Sequence, residues 1–226
     1  MAVAVRTAGV VVINWGTVSD PAAQNITTVS GDKAVAVNFT GYTTGGFAVL
    51  AVTLNGLAPD HFVEIQGDLD HAGTAIAVWL APAIGTLVLD PQFDSALTDG
   101  PTCIACPLTA TNDISVSGSD CDNFEGVGTA TATAASGTGD LALAFAMNYN
   151  TDPTVGGTAA TNVTGAYQNQ NGERLQGFTV TAGASTTTAT STGNSYPTCA
   201  LVVLRDGGAA PVVAATIPAL AFAHNF

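Results

Sequence analysis

The sequence predicts an all-β sandwich, and three observations lead there. Larger apolar residues recur with period two along most of the chain, as in Lys33–Phe39 and Asp140–Met147. The runs are short and bounded by Gly, Asp, Asn and Pro, the punctuation of strands and turns. No segment carries a helical stripe with a cap.

The elements follow in order. Val10–Asn14 is an apolar run closed by Asn. Lys33–Phe39 sets Val35, Val37 and Phe39 against Ala34, Ala36 and Asn38. Phe47–Leu54 is apolar except for Thr53, and Phe62–Ile65 is a short strand. Thr74–Leu80 stops before Pro82, which has no ladder donor. Gly85 turns the chain, and Thr86–Asp90 restarts extended structure. Thr102–Leu108, Gly128–Ala134, Asp140–Met147, Asn162–Tyr167, Arg174–Thr181, Ser185–Ser191 and Thr198–Leu204 complete the series. Turn residues separate them at Thr43–Gly46, Gly67-Asp68, Ala83–Gly85, Ser136–Gly139, Gly156-Gly157, Asn171-Gly172 and Ala182–Ala184. Asn171-Gly172 and Ala182–Ala184 are good hairpin positions. Strands at this spacing build a sandwich or a barrel.

Asp140–Met147 sends Leu141, Leu143, Phe145 and Met147 one way and Ala142, Ala144 and Ala146 the other. The small face is either covered by a further layer or subunit or is an Ala-rich solvent face. Residues 1–32 form an N-terminal arm or added strands, 33–206 the sandwich, and 207–226 an apolar C-terminal arm. That arm contains Pro211 and Pro218 and cannot be helical throughout. Uncharged apolar surface seeks a cover, so Val212, Val213, Ile217, Leu220, Phe222 and Phe226 are expected at an interface, on the chain's own sandwich or on a partner.

Charge removes whole classes of function. The 226 residues include 4 Lys+Arg against 17 Asp+Glu, for a formal charge of -13. Arg6, Lys33, Arg174 and Arg205 are scattered, so no basic patch meets a phosphate backbone, and no nucleic acid is expected as partner. No apolar stretch reaches the roughly 18 residues of a membrane span. The N-terminus lacks a secretory pattern, because Arg6 is followed by too short an apolar run. Synthesis in a host cytoplasm without a signal peptide is therefore expected.

From Phe47 to Leu204 the order of features resembles a known family. The features are the strand ending Val78-Trp79-Leu80-Ala81-Pro82, the step Ala83-Ile84-Gly85-Thr86, the run Gly139-Asp140-Leu141-Ala142 and the last strand Cys199–Leu204. The pattern is similar to the jelly-roll domains of tailed-phage virion proteins and some bacterial surface proteins. It implies an antiparallel jelly-roll-like β-sandwich with extended arms. It also implies a non-enzymatic virion protein, either a capsid decoration (cement) or head-spike protein binding the major capsid protein or other virion proteins. A carbohydrate-binding adhesin or tail appendage is the alternative, and a glycan hydrolase a distant one. The stretch Pro91–Gly126, which holds three of the four cysteines, stands as an insertion in the pattern.

Particular residues carry further expectations. Trp79 is flanked by apolar residues and belongs in the core, whereas Trp15, between Asn14 and Gly16, is expected at an interface. Cys103 and Cys106 have metal or redox spacing, but on one strand their odd offset turns them to opposite faces. Buried free thiols rank first, a disulfide such as Cys106–Cys121 or Cys103–Cys121 second, and zinc last. Asp120, Asp122, Asn123 and Glu125 form an oxygen-rich cluster, read as a loop, that is a weak calcium candidate or a set of solvated turn residues. Asp68, Asp70 and His71 form a smaller set. No other cofactor is implied, and no nucleophile elbow is present. Tyr42, Tyr149 and Tyr167 are the aromatic candidates for a sugar-binding face. The apolar arm and Ala/Thr faces favour a homo-oligomer, with a trimer preferred.

Overall fold

The computed structural model describes residues 2–15, 21–42, 47–67, 72–94, 101–149, 151–156, 161–163, 167–168, 173–193 and 195–207. About 69% of these residues are strand, and none of them lies in an α-helix. The first half contains β1 (Ala4–Val5), a single 3-10 turn at Thr7–Gly9, β2 (Val11–Asn14), β3 (Gln24–Thr28), β4 (Asp32–Tyr42), β5 (Val49–Leu54), β6 (His61–Ile65), β7 (Ala72–Leu80), β8 (Gly85–Phe93) and β9 (Thr102–Thr109). The second half contains β10 (Ile114–Asn123), β11 (Gly128–Ala135), β12 (Leu141–Tyr149), β13 (Thr154–Gly156), β14 (Thr161–Asn162), β15 (Tyr167–Gln168), β16 (Glu173–Thr181), β17 (Thr186–Gly193) and β18 (Thr198–Asp206).

The strands make two sandwiches. In the first, a large sheet ordered β1-β9-β4-β7-β6, with β2 also on β9, faces a small sheet ordered β3-β8-β5. In the second, a large sheet ordered β10-β18-β12-β16-β14, with β15 also on β16, accompanies a small sheet ordered β11-β17-β13. The two orders correspond strand for strand. β4 pairs with β7 and β9, as β12 pairs with β16 and β18, all antiparallel. β8 lies between β3 and β5, as β17 lies between β11 and β13. First, eighth, third and sixth strands in one sheet, with second, seventh and fourth in the other, is a jelly-roll order. The fifth strand, β6, departs from it by pairing with β7 in the large sheet.

Packing explains why the halves stay together. The first sandwich closes on Ile26, Val35, Val37, Phe39, Phe47, Trp79, Leu89 and Phe93. The second closes on a smaller core of Ala130, Ala132, Ala134, Ala142, Ala144, Val180, Leu201 and Val203. The other faces of the two large sheets share a middle core of Ile76, Val78, Ile104, Leu108, Leu143, Phe145, Met147, Val202 and Leu204. Fully burying such side chains contributes about 1.5–3 kcal/mol each. The molecule is thus four sheets deep. β6 packs against β10, β7 against β18 and β9 against β16, so one strand order lies reversed over the other. That is the arrangement of a two-fold dimer contained in one chain.

The all-β sandwich is present, and several finer expectations change. Within residues 1–32, expected as an arm or added strands, β1, β2 and β3 are integral strands of the first sandwich. Residues 33–206 do not form one sandwich but contribute to two. The stretch Pro91–Gly126 is no insertion: it supplies β9 and β10. Both faces of β12 are covered, Ala142 and Ala144 by the chain's own small sheet. The hairpin at Ala182–Ala184 joins β16 to β17, whereas Asn171-Gly172 and the arm residues Val212, Val213, Ile217, Leu220, Phe222 and Phe226 lie outside the described residues.

Candidate functional site

The polar and aromatic side chains of interest gather along the seam between the sandwiches. β6 and β10 are edge strands running side by side. Period two turns Ser119, Cys121 and Asn123 of β10 toward the first sandwich. There His61 Nε2 and Ser119 Oγ are 2.6 Å apart. The Cys121 thiol donates to the Val63 carbonyl at 3.8 Å. Asn123 Nδ2 donates to the carbonyls of Ala72, at 2.9 Å, and Gln66, at 3.3 Å. Burial lowers the His61 pKa and keeps the ring neutral. On the other face of β6, Glu64 Oε1 accepts from Val49 N at 2.6 Å. Burial raises the Glu64 pKa, with the Val49 bond opposing it and the charge of Asp94 reinforcing it. A hydroxyl beside a neutral imidazole is the beginning of a nucleophilic pair. Here it joins two edge strands across a packed seam.

The seam opens at an aromatic cluster. Tyr42 ends β4 and Tyr149 ends β12, equivalent places in the two halves, and their rings are 6.5 Å apart. Tyr196 lies 4.8 Å from Tyr42. All three are half-buried. Tyr196 has φ of +49° and precedes Pro197, a costly conformation for a bulky residue. Its N–H donates to the Gly126 carbonyl at 2.9 Å, and the preceding Ser195 N–H donates to Asn148 Oδ1 at 3.4 Å. Exposed Phe124 and Val127 flank the same end. Tyr42 and Tyr149 thus come together with Tyr196, which sequence reading missed. The side chain of Tyr167 lies outside the described residues.

The calcium candidates have another occupation. Asp120, Asp122 and Asn123 lie on β10, not in a loop. Asp120 Oδ2 accepts from Thr133 N at 2.7 Å, and Asp122 Oδ2 accepts from Thr131 N. These N–H groups lie on the side of β11 away from β17, so the carboxylates act in place of a missing strand. Gly118, the next residue in this alternation, brings β10 close: a Cβ there would fall 2.8 Å from Ala135 N. Exposed Glu125 lies beyond the strand end. Among the described residues, no three His, Cys, Asp or Glu side chains converge on a metal position. Asp68, Asp70 and His71 lie outside the described residues.

The remaining candidates have structural places. The four cysteines are free thiols, so the Cys106–Cys121 pairing is absent. Cys106 lies on β9, over β16, while Cys121 lies on β10, beside β6 at the other edge. The odd offset does separate Cys103 from Cys106: one faces the first core, the other the middle core. Trp15, expected at an interface, is half-buried. It packs on Phe39 and Phe93, each at 6.2 Å, and its indole donates to the Ala22 carbonyl, so it closes the first core. Trp79 is buried as expected and donates to the Leu57 carbonyl at 2.9 Å. No protein-family model, curated protein or solved structure matches the chain.

Proposed function

We propose that this chain is a non-enzymatic structural protein of a tailed-phage virion, a capsid decoration or head-spike protein. The observation that carries this reading is the jelly-roll order, laid down twice and stacked through its large sheets. A rigid slab of this kind presents two small-sheet faces while its polar side chains hold strands together. Asp32 takes a bidentate Arg6 and the Val29 N–H. Asp140 takes Arg205 and the Gly137 N–H. Asp120 and Asp122 take β11. The partner would be the major capsid protein or sister subunits, with a trimer as the favoured assembly, and binding energy would come from buried surface after association costs. Purified protein should co-sediment with capsids lacking it and raise their melting temperature. Protein that stays in the supernatant at saturating capsid would overturn the reading.

One observation favours a second reading, a carbohydrate-binding appendage. Tyr42, Tyr149 and Tyr196 form an aromatic surface at the seam, bordered by Asn123 and Ser195. Aromatic rings with a few placed polar groups suit sugar recognition. A glycan array separates the two readings: saccharide binding lost in Tyr196→Ala supports the second.

A further inference from the structure

The outer face of β11 and β17 is a lattice of threonines. Alternation turns Ala130, Ala132, Ala134, Ala189 and Ser191 inward and buries them. Outward, Thr129 stands opposite Thr192, Thr131 opposite Thr190 and Thr133 opposite Thr188. Thr186 follows opposite Ala135, and no outward position on these two strands is charged. The corresponding strands of the first sandwich carry Asn25 and Thr27 on β3 and Thr86, Val88, Asp90 and Gln92 on β8. The fold therefore does not require threonine at these places. In a chain of charge -13, a neutral face this regular fits a neutral, regular ligand.

Sheet geometry repeats the side chains at about 4.8 Å across strands and about 6.8 Å along them. The rows are held in place. Thr129 and Thr192 hydroxyls are 3.2 Å apart, and those of Thr133 and Thr188 are 3.0 Å apart. Each such pair spends one donor on itself, leaving one donor and three acceptor positions to the outside. Asp120 and Asp122 fix the backbone of β11 from its free side. Gly156 of β13 lacks a Cβ that would fall 2.3 Å from Thr190 Oγ1, which keeps that hydroxyl clear.

We infer that this face binds the surface of ice. Ordered water there offers donors and acceptors in rows whose repeats lie in the range of β-sheet spacings. The threonine hydroxyls would join those rows. Rigidity is what makes the array useful, because rows fixed before binding lose little entropy on it. A crystalline polysaccharide is the rival ligand. A sister chain is the rival partner.

The test is partition into a slowly growing ice front, with serum albumin as the excluded reference. Wild-type protein should be enriched in the ice fraction. Thr131→Tyr and Thr190→Tyr, at the centre of the lattice, should reduce enrichment by about tenfold or more. Thr86→Tyr, on the outer face of the first sandwich, should leave it unchanged. Wild-type protein excluded like albumin overturns the inference, whether or not the variants fold. So does enrichment that survives both central substitutions in proteins with wild-type circular dichroism. Light scattering that shows a wild-type dimer made monomeric by Thr190→Tyr, without ice enrichment, would assign the face to a second copy. Wild-type pull-down on cellulose or chitin without ice enrichment would assign it to the polysaccharide.

Discussion

His61 and Glu64 sit three residues apart on β6 and pull stability in opposite directions with pH. Burial lowers the His61 pKa, so the unfolded chain binds its proton more readily. The His61 contribution is then lost as pH falls below the unfolded value of about 6.5. Burial raises the Glu64 pKa from 4.5, so the folded chain holds that proton longer. The Glu64 contribution is present below the unfolded value and lost as pH rises through the folded one. The two offset each other in mildly acidic solution. Urea unfolding at pH 5 and pH 7 should separate them. Glu64→Gln should leave a chain less stable at pH 5 than at pH 7. His61→Gln should leave the reverse, and equal pH dependence in both variants would refute the assignment. The thiols give a second residue-scale test. Burial raises the Cys103 pKa strongly and takes Cys106 and Cys199 to about 12. A buried thiol far from ionisation is inert. Burial, reinforced by the charge of Asp120, raises the Cys121 pKa strongly as well. Native protein should therefore yield no fast-reacting thiol, and four after denaturation.

At the scale of elements, β11 depends on β10 through two carboxylates rather than a backbone ladder. Asp122→Ala would leave the Thr131 N–H without its charged acceptor, at a cost of about 1–2 kcal/mol for a partly exposed site. Asp122→Asn keeps an acceptor oxygen and should lose less than half of that. Equal losses in the two variants would mean that charge, not the hydrogen bond, holds β11. β10 also shows where sequence reading stops. Most strands were legible because one face is Val, Leu, Ile or Phe and the other small, as in β4 and β12. β10 reads Ile-Ser-Val-Ser-Gly-Ser-Asp-Cys-Asp-Asn, with small and polar residues on both faces. One face meets β6 through Ser119, Cys121 and Asn123. The other presents Asp120 and Asp122 to β11. Beyond Ile114 and Val116, which join the middle core, neither face carries a large apolar side chain, so the alternation is invisible to hydrophobicity there. β3 was missed for a related reason: Ile26 is its only large apolar residue. The duplication did leave a trace. Pro101-Thr102-Cys103 and Pro197-Thr198-Cys199 enter equivalent strands, β9 and β18. Elsewhere the halves diverge, because Phe39 of the first corresponds in pairing to Ala146 of the second.

At the scale of the whole molecule, the two sandwiches are unequal partners. The first has its own aromatic core, in which Trp15, Phe39, Phe47 and Phe93 touch one another. The second core is built largely on alanine. Alanine brings little transfer energy, so the second sandwich owes its stability to Leu143, Phe145, Met147, Val202 and Leu204 in the middle core. Four consequences follow for experiment. The full chain should unfold in a single transition, because the middle core couples the halves. Phe145→Ala should lower the stability of the entire chain by about 3–5 kcal/mol, without splitting that transition. Residues 1–110 expressed alone should fold, since the first core is intact. They would nonetheless bare Ile76, Val78, Ile104 and Leu108 on the large sheet, an apolar face that a monomer does not tolerate. That fragment should self-associate through the bared face, and Ile104→Lys should return it to a monomer. Residues 112–207 alone should remain unfolded. A folded, monomeric second half would show that its alanine core suffices, and the middle core would then be a docking surface between two independent domains rather than the centre of one cooperative fold.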